Sequence, residues 1–195
     1  MRLLVLIIRL LYSNNNIFAG LWAVVNNAGI LFPGLIEWQT VEEMTKVVDV
    51  NVWGMVSITK AFLPLLKGTK GRVVNVASCL GRVSFPGGAA YCISKFGVQA
   101  FSDALRCEML RFGVTVHIIE PGFFRTNITD PKRFTQHIET LWKNLDANTK
   151  ESYGTAFYEK LKSIYFDLYF SLDYLSIQCT NTQTHNTETP QRTIL

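Results

Sequence analysis

Hydrophobic positions along this chain follow two periods. Three short runs are apolar on consecutive positions: Leu21 to Asn26 (LWAVVN), Gly71 to Ala77 (GRVVNVA) and Val114 to Glu120 (VTVHIIE). Each is rich in β-branched residues and bounded by turn residues, the pattern of a strand buried on both faces in a parallel sheet. Between the first two runs, Met44, Val47, Val48, Val52, Met55, Val56, Thr59, Phe62, Leu63 and Leu66 recur at helical spacing. Thr40 with Glu43 supplies a capping box, and the helix is expected to end near Pro64 to Gly68. A second helix is predicted from about Ala89 to Phe112, where Phe96, Ala100 and Ala104 recur at helical spacing with Phe101, Leu105 and Met109 beside them, and Gly113 stands at its C-cap. Strand and helix alternate, so the chain predicts an α/β fold with two right-handed crossovers and a parallel sheet.

The two ends read differently. Residues 1–12, MRLLVLIIRLLY, are apolar apart from Arg2 and Arg9. The run is shorter than the roughly 20 residues a membrane-spanning helix needs, and no small-residue cleavage site follows it. A strand, a membrane-surface element and a signal or anchor segment all stay open. Pro131 can start a helix in which Phe134, Ile138, Leu141, Trp142 and Leu145 form an apolar face. A further helical stretch runs through Phe157, Leu161, Ile164 and Tyr165. From Ser176 the chain is rich in Thr, Asn and Gln, and it is expected to be disordered.

Composition narrows the class. The chain has 195 residues and is 48% hydrophobic, enough for one domain with a real core. Its net charge is +4 and scattered, and Lys67, Lys70 and Arg72 read as a solvated turn, which argues against nucleic acid. The cysteines (Cys79, Cys92, Cys107, Cys179) lack CxxC spacing and read as free thiols, three of them inside predicted core elements. His117, His137 and His185 are too scattered to suggest a metal site. Asn127-Ile128-Thr129 matches a glycosylation sequon, a triplet common by chance.

Ligands of an open parallel sheet bind beyond the carboxyl ends of its strands. Asn26-Asn27-Ala28-Gly29, Ser78, and Pro121-Gly122 with Thr126 converge there. Tyr91 and Lys95 stand four apart, one turn apart on one helix face. An ammonium beside a phenol favours the phenolate, and a nearby serine hydroxyl can share a substrate oxygen with it. Ser78 to Lys95 is therefore a candidate proton-transfer site. Asn51 interrupts the apolar face of the first helix, an unusual place for an amide.

These residues, in this order, resemble the short-chain dehydrogenase/reductases. The match comprises Asn26 to Gly29 (NNAG), Asn51 in Asn51-Val52-Trp53-Gly54, Ser78 thirteen residues before Tyr91, the run Tyr91 to Lys95, and Pro121-Gly122 followed by Thr126. The strings LWAVVNNAGI, GRVVNVAS, YCISKFGV and IEPGFFRT look like the retinol dehydrogenase and 17β-hydroxysteroid dehydrogenase group. The resemblance implies a Rossmann-like doubly wound parallel sheet and an oxidoreductase interconverting a hydrophobic alcohol, of retinoid or steroid class, and its ketone or aldehyde. It implies NAD or NADP as cofactor. Tyr91 would be the acid or base, Lys95 would lower its pKa and hold the nicotinamide ribose, Ser78 would hold the substrate oxygen, and Asn51 would position a water. Asn26, Ala28 and Gly29 would line the adenine-ribose side, and Pro121, Gly122 and Thr126 the nicotinamide end. Homo- or heterodimerisation through the two long helices and an endoplasmic-reticulum membrane or cytoplasmic setting belong to the same expectation.

The chain departs from the family at both ends. No TGxxxGxG run precedes Leu21, so the fold is expected to be incomplete in its N-terminal half and cofactor binding weakened. Four parts are expected: a non-family apolar stretch (1–20), a partial catalytic core (21–130), substrate-covering helices (131–170) and a polar tail (171–195). An inactive chain that serves as a dimerisation partner is the alternative reading.

Overall fold

The computed structural model describes residues 4–13, 16–122, 126–164 and 192–194. Its centre is a parallel sheet of β2 (Asn16–Asn26), β3 (Arg72–Val76) and β4 (Thr115–Glu120), in that spatial order. β1 (Leu4–Ser13) pairs antiparallel with β2 along its outer edge, from Leu4 opposite Asn26 to Ser13 opposite Asn16. β5 (Arg192–Ile194) lies parallel to β4 on the other side. The predicted α/β class and parallel core are therefore present, in an incomplete Rossmann-like sheet.

Two boundaries differ from the sequence reading. β2 starts at Asn16 rather than Leu21, because pairing with β1 extends it beyond the apolar run. The polar stretch expected to be disordered contributes β5, and the rest of it, with His185 and Cys179, lies outside the described residues.

The first crossover is one long helical path in three parts. α1 (Val41–Val48) opens on the predicted capping box: the Glu43 N–H donates to Thr40 Oγ1 at 3.2 Å, and the Thr40 N–H to Glu43 Oε2 at 3.0 Å. Residues Asp49–Gly54 then form a π-helical turn, and α2 (Met55–Thr69) completes the path. Lys70 in the left-handed region and the Gly71 N–H on Leu66 O close its C-terminus. The second crossover is α3 (Ala89–Met109), continued by a short 3-10 turn to Phe112 and stopped at Gly113, whose φ of 70° suits glycine. Because the strand order follows the chain, right-handed crossovers put both helical paths on one face of the sheet. There α1 and the π turn pack against α3.

The main core lies between these helices and the sheet, around Leu21, Val24, Leu66, Val73, Leu105, Met109, Val114 and Val116. A buried polar chain crosses it. Asn26 Nδ2 donates to Thr59 Oγ1 (2.9 Å) and Asn75 Oδ1 (2.8 Å), and Asn75 Nδ2 donates to Ser102 Oγ (2.8 Å). Cys92 is buried and Cys79 half-buried, whereas Cys107 is exposed on the outer side of α3 rather than in the core.

The last elements form a separate aromatic cluster. α4 (Pro131–Asn144) starts at Asp130, whose carboxylate accepts from the Lys132 N–H, with Pro131 at its first position. α5 (Ala147–Tyr153) and α6 (155–164) follow. Trp142 stacks on Tyr158 at 4.7 Å, and Trp38 meets Trp142 and Tyr153 at 5.3 Å each. Trp38 lies in the loop after β2, so the cluster ties the C-terminal helices to that loop.

Candidate active site

The carboxyl ends of β2, β3 and β4 open into a cavity of about 860 Å³. Gly29, Ser78, Tyr91, Lys95, Pro121, Gly122 and Thr126 line it together. Residues that span almost a hundred positions of sequence thus meet because three neighbouring strands end side by side. The remaining wall is largely apolar, with Ile30, Leu31, Phe32, Leu80, Ile128 and Phe134.

Ser78 leaves β3 and caps the short turn Cys79–Gly81, its Oγ accepting from the Leu80 N–H at 3.2 Å. Tyr91 and Lys95 sit on the first turns of α3, 9% and 4% exposed. The Lys95 ammonium donates to Val76 O at 2.8 Å and lies 5.5 Å from the centre of the Tyr91 ring. Burial pushes the Tyr91 phenol up to about 12, while a hydrogen bond with Ser78 acts in the opposite direction. Burial pushes Lys95 down to about 8. The sequence expectation that Lys95 holds the phenol below its usual range is corrected here. Desolvation of the phenolate is the largest cause, and the ammonium spends its hydrogen bond on a strand carbonyl.

Asn51 occupies the π turn, where the extra residue per turn rotates its amide inward. It is 2% exposed. Its Oδ1 accepts from the Ile30 N–H at 2.8 Å, and its Nδ2 donates to Ile30 O and Ser94 Oγ, both at 2.9 Å. The amide therefore fixes the loop after β2 through both the N–H and the carbonyl of one residue, Ile30. Ser94 in turn donates to Tyr91 O at 2.7 Å, which links that loop to the helix turn carrying the phenol.

Of the residues expected on the adenine-ribose side, Gly29 lines the cavity. Asn26 instead spends its amide in the core network and stands outside the lining, as does Ala28. Sequence reasoning missed several participants. The Val76 carbonyl carries no sequence signal at all. His137, Gln136 and Arg133 enter from α4, and His137 packs on Phe32 at 5.2 Å, with burial lowering its pKa. Glu120, 2% exposed, receives Arg82 Nε at 2.5 Å, Arg82 Nη2 at 3.0 Å and Gln99 Nε2. An acid ending an apolar strand was the available signal. Among the described residues, no cluster of His, Cys, Asp and Glu could hold a metal ion, and no helix is long and apolar enough to cross a membrane.

A parallel sheet whose strand ends gather a serine, a tyrosine and a buried lysine defines a class, and the comparisons name it. The family model for short chain dehydrogenases matches residues 8–137, and the chain belongs to that family. The match begins at residue 8, so part of the stretch read as non-family falls within it. Retinol dehydrogenase 7 of Mus musculus is 50% identical over 138 residues, covering 71% of this chain and 43% of that protein. 17-beta-hydroxysteroid dehydrogenase type 6 of Homo sapiens is 45% identical over 146 residues, covering 74% and 46%. The chain thus spans under half the length of these two relatives. Among solved structures, an alcohol dehydrogenase of Thermococcus sibiricus complexed with 5-hydroxy-NADP is 28% identical, with a TM-score of 0.53, covering 55% of this chain and 45% of that one.

Proposed function

We propose that this chain carries the proton-transfer half of a nicotinamide-dependent alcohol dehydrogenase acting on a hydrophobic alcohol or carbonyl, of retinoid or steroid class. The observation that carries the reading is the convergence of Ser78, Tyr91 and Lys95 on one largely apolar cavity. The printed names of the relatives, retinol and 17-beta-hydroxysteroid dehydrogenases, support the substrate class.

The nicotinamide–ribose end of the cofactor fits the residues present. Lys95 offers buried donors, and Gly29, Pro121, Gly122 and Thr126 line the same wall. The adenylate half does not fit: no glycine-rich turn leads from β1 to β2, and the two strands pair antiparallel. NAD or NADP, when bound, accepts or supplies the hydride. The chain's residues handle the proton. As its phenolate, Tyr91 takes the hydroxyl proton during oxidation and becomes the phenol; as the phenol, it gives that proton to the carbonyl oxygen during reduction, and the Ser78 hydroxyl holds the substrate oxygen against it. Lys95, charged at neutral pH, stabilises the phenolate, the reactant of oxidation and the product of reduction. The apolar wall excludes water and accepts the hydrocarbon body of the substrate. Such substrates partition into lipid, so the reading extends to work at a membrane surface, of the endoplasmic reticulum or from the cytoplasm.

A second reading, a dimerisation partner of a related chain, is favoured by the exposed Trp53, Ile93 and Phe96 beside the Val52–Gly97 helix contact. Turnover assays with retinol and hydroxysteroids, with NAD and NADP, decide between the two. Turnover lost in Tyr91→Phe supports the dehydrogenase. A folded parent with no turnover, sedimenting as a dimer, favours the second reading.

A further inference from the structure

We infer that Glu120 is a positioning residue that clamps the three segments of the active site together, an inference that rests on the dehydrogenase reading. Its carboxylate lies at the last position of β4, one residue before the cavity-lining Pro121. From one side it accepts two hydrogen bonds from the Arg82 guanidinium, at 2.5 and 3.0 Å. From the other it accepts one from Gln99 Nε2. Arg82 ends the short turn that Ser78 begins, and Gln99 stands one helical turn beyond Lys95. One buried acid therefore joins the Ser78 turn, the Lys95 helix and the Pro121 loop.

The geometry around the clamp leaves little slack. Within the turn, the Gly81 N–H donates to Ser78 O at 2.9 Å, the Arg82 N–H to Cys79 O at 3.0 Å, and the Cys79 N–H to Pro121 O at 3.0 Å. A side chain on Gly81 would place its Cβ 2.9 Å from Lys95 O and 3.2 Å from Gln99 Nε2, so only glycine lets the turn approach the helix this closely. Aligning the Gln99 NH₂ with the carboxylate leaves Gln99 Oε1 buried with no donor. An acid that is 2% exposed is costly to bury unless paired, and the pairing here is bidentate and charge-assisted. Arg82 and Gln99 belong to segments that carry the proposed chemistry, rather than to the main core. The Ser78 hydroxyl and Lys95 thereby hold their separation through a group that touches neither substrate nor cofactor.

The test uses the full chain with Cys107→Ser and Cys179→Ser, which leaves the half-buried Cys79 beside Ser78 and the buried Cys92 as labelling sites. Glu120→Gln and the double variant Glu120→Gln with Arg82→Met are compared with this parent. The double variant removes both charges of the Arg82–Glu120 pair together, so its melting temperature is expected to stay close to the parent's. Cys79 labelling by a neutral thiol reagent is expected to accelerate roughly fivefold or more in both variants, with Cys92 unchanged, because only the turn is released. With a retinoid or steroid alcohol, kcat is expected to fall about tenfold or more with KM within about threefold. Cys79 labelling at the parent rate in the double variant overturns the clamp. So does labelling of Cys92 in step with Cys79, which marks global opening. A parent with no turnover removes the dehydrogenase reading, and the labelling arm then decides the clamp alone.

Discussion

The Lys95 ammonium donates to the Val76 carbonyl at 2.8 Å and stands 5.5 Å from the centre of the Tyr91 ring. Anchorage to the strand end and burial together set how this pair responds to pH. Lys95 is pushed from 10.5 down to about 8, so between those values the unfolded chain holds a proton that the native lysine has released. Stability contributed by this residue therefore rises with pH across that window. Tyr91 acts with the opposite sign: its phenol keeps its proton from 10 up to about 12, so its contribution is full below that range and is lost as pH rises through it.

Lys95→Met removes the first effect. Urea unfolding at pH 7 and pH 9.5 is expected to show the parent gaining on the variant at the higher pH, by at most about 3 kcal/mol. A parent–variant difference that stays flat between the two pH values contradicts the buried, depressed lysine.

Asn51 holds Ile30 by both its backbone N–H and its carbonyl, so the two ends of the Asn51 amide can be separated by mutation. Asn51→Asp keeps an acceptor for the Ile30 N–H but turns a carboxylate toward Ile30 O and loses the donation to that carbonyl. A loss of roughly 2–3 kcal/mol is expected on denaturation, with the loop after β2 opening to proteolysis first. Asn51→Asp at parental stability would show that the double hydrogen bond carries no weight.

Asn75 is fully buried between Asn26 and Ser102. Asn75→Ala deletes both hydrogen bonds and leaves the Asn26 amide and the Ser102 hydroxyl with one partner fewer in a dry core. The expected cost is about 2–4 kcal/mol in chemical denaturation. Asn75→Asp, which cannot donate to Ser102, is expected to cost at least as much.

Cofactor recognition should stop at the ribose of the nicotinamide end. Reduced nicotinamide mononucleotide and NADH are expected to bind within about tenfold of each other, a difference of about 1.4 kcal/mol, in a fluorescence titration. A hundredfold or greater preference for NADH would reveal an adenylate site elsewhere on the chain.

The periodic core was legible because both of its faces are buried. Val73, Val24 and Val116 read as strand interior and are so, and Thr40 with Glu43 marks the helix start to the residue. The candidate site was legible because the proposed chemistry restricts residue type: Ser78, Tyr91 and Lys95 line one cavity. What stayed hidden depends on geometry that no residue type encodes. The acceptor of the Lys95 ammonium is a backbone carbonyl, available at any residue. Asn26 belongs to the motif, but its amide turns into the core, because Thr59 and Asn75 happen to lie within 3 Å of it. The direction of the Tyr91 shift depends on how deeply α3 buries the ring, which spacing along a helix does not express. β1 was unreadable for another reason: an apolar run can pair at any open edge, and only the fold supplies that edge.

The antiparallel pairing of β1 with β2 has a consequence for where this sheet frays. With β1 on one side and β5 on the other, β2, β3 and β4 each have a neighbour on both edges. The three strand ends that supply Gly29, Ser78 and Pro121 are all interior. Local opening begins at a sheet's outermost strands, where the hydrogen-bond ladder is one-sided. Amide exchange is therefore expected to sweep β1 and β5 first and to reach β3, which carries the serine, last. The borrowed outer strand thus acts as insulation, absorbing the sheet's fluctuations before they touch the chemistry.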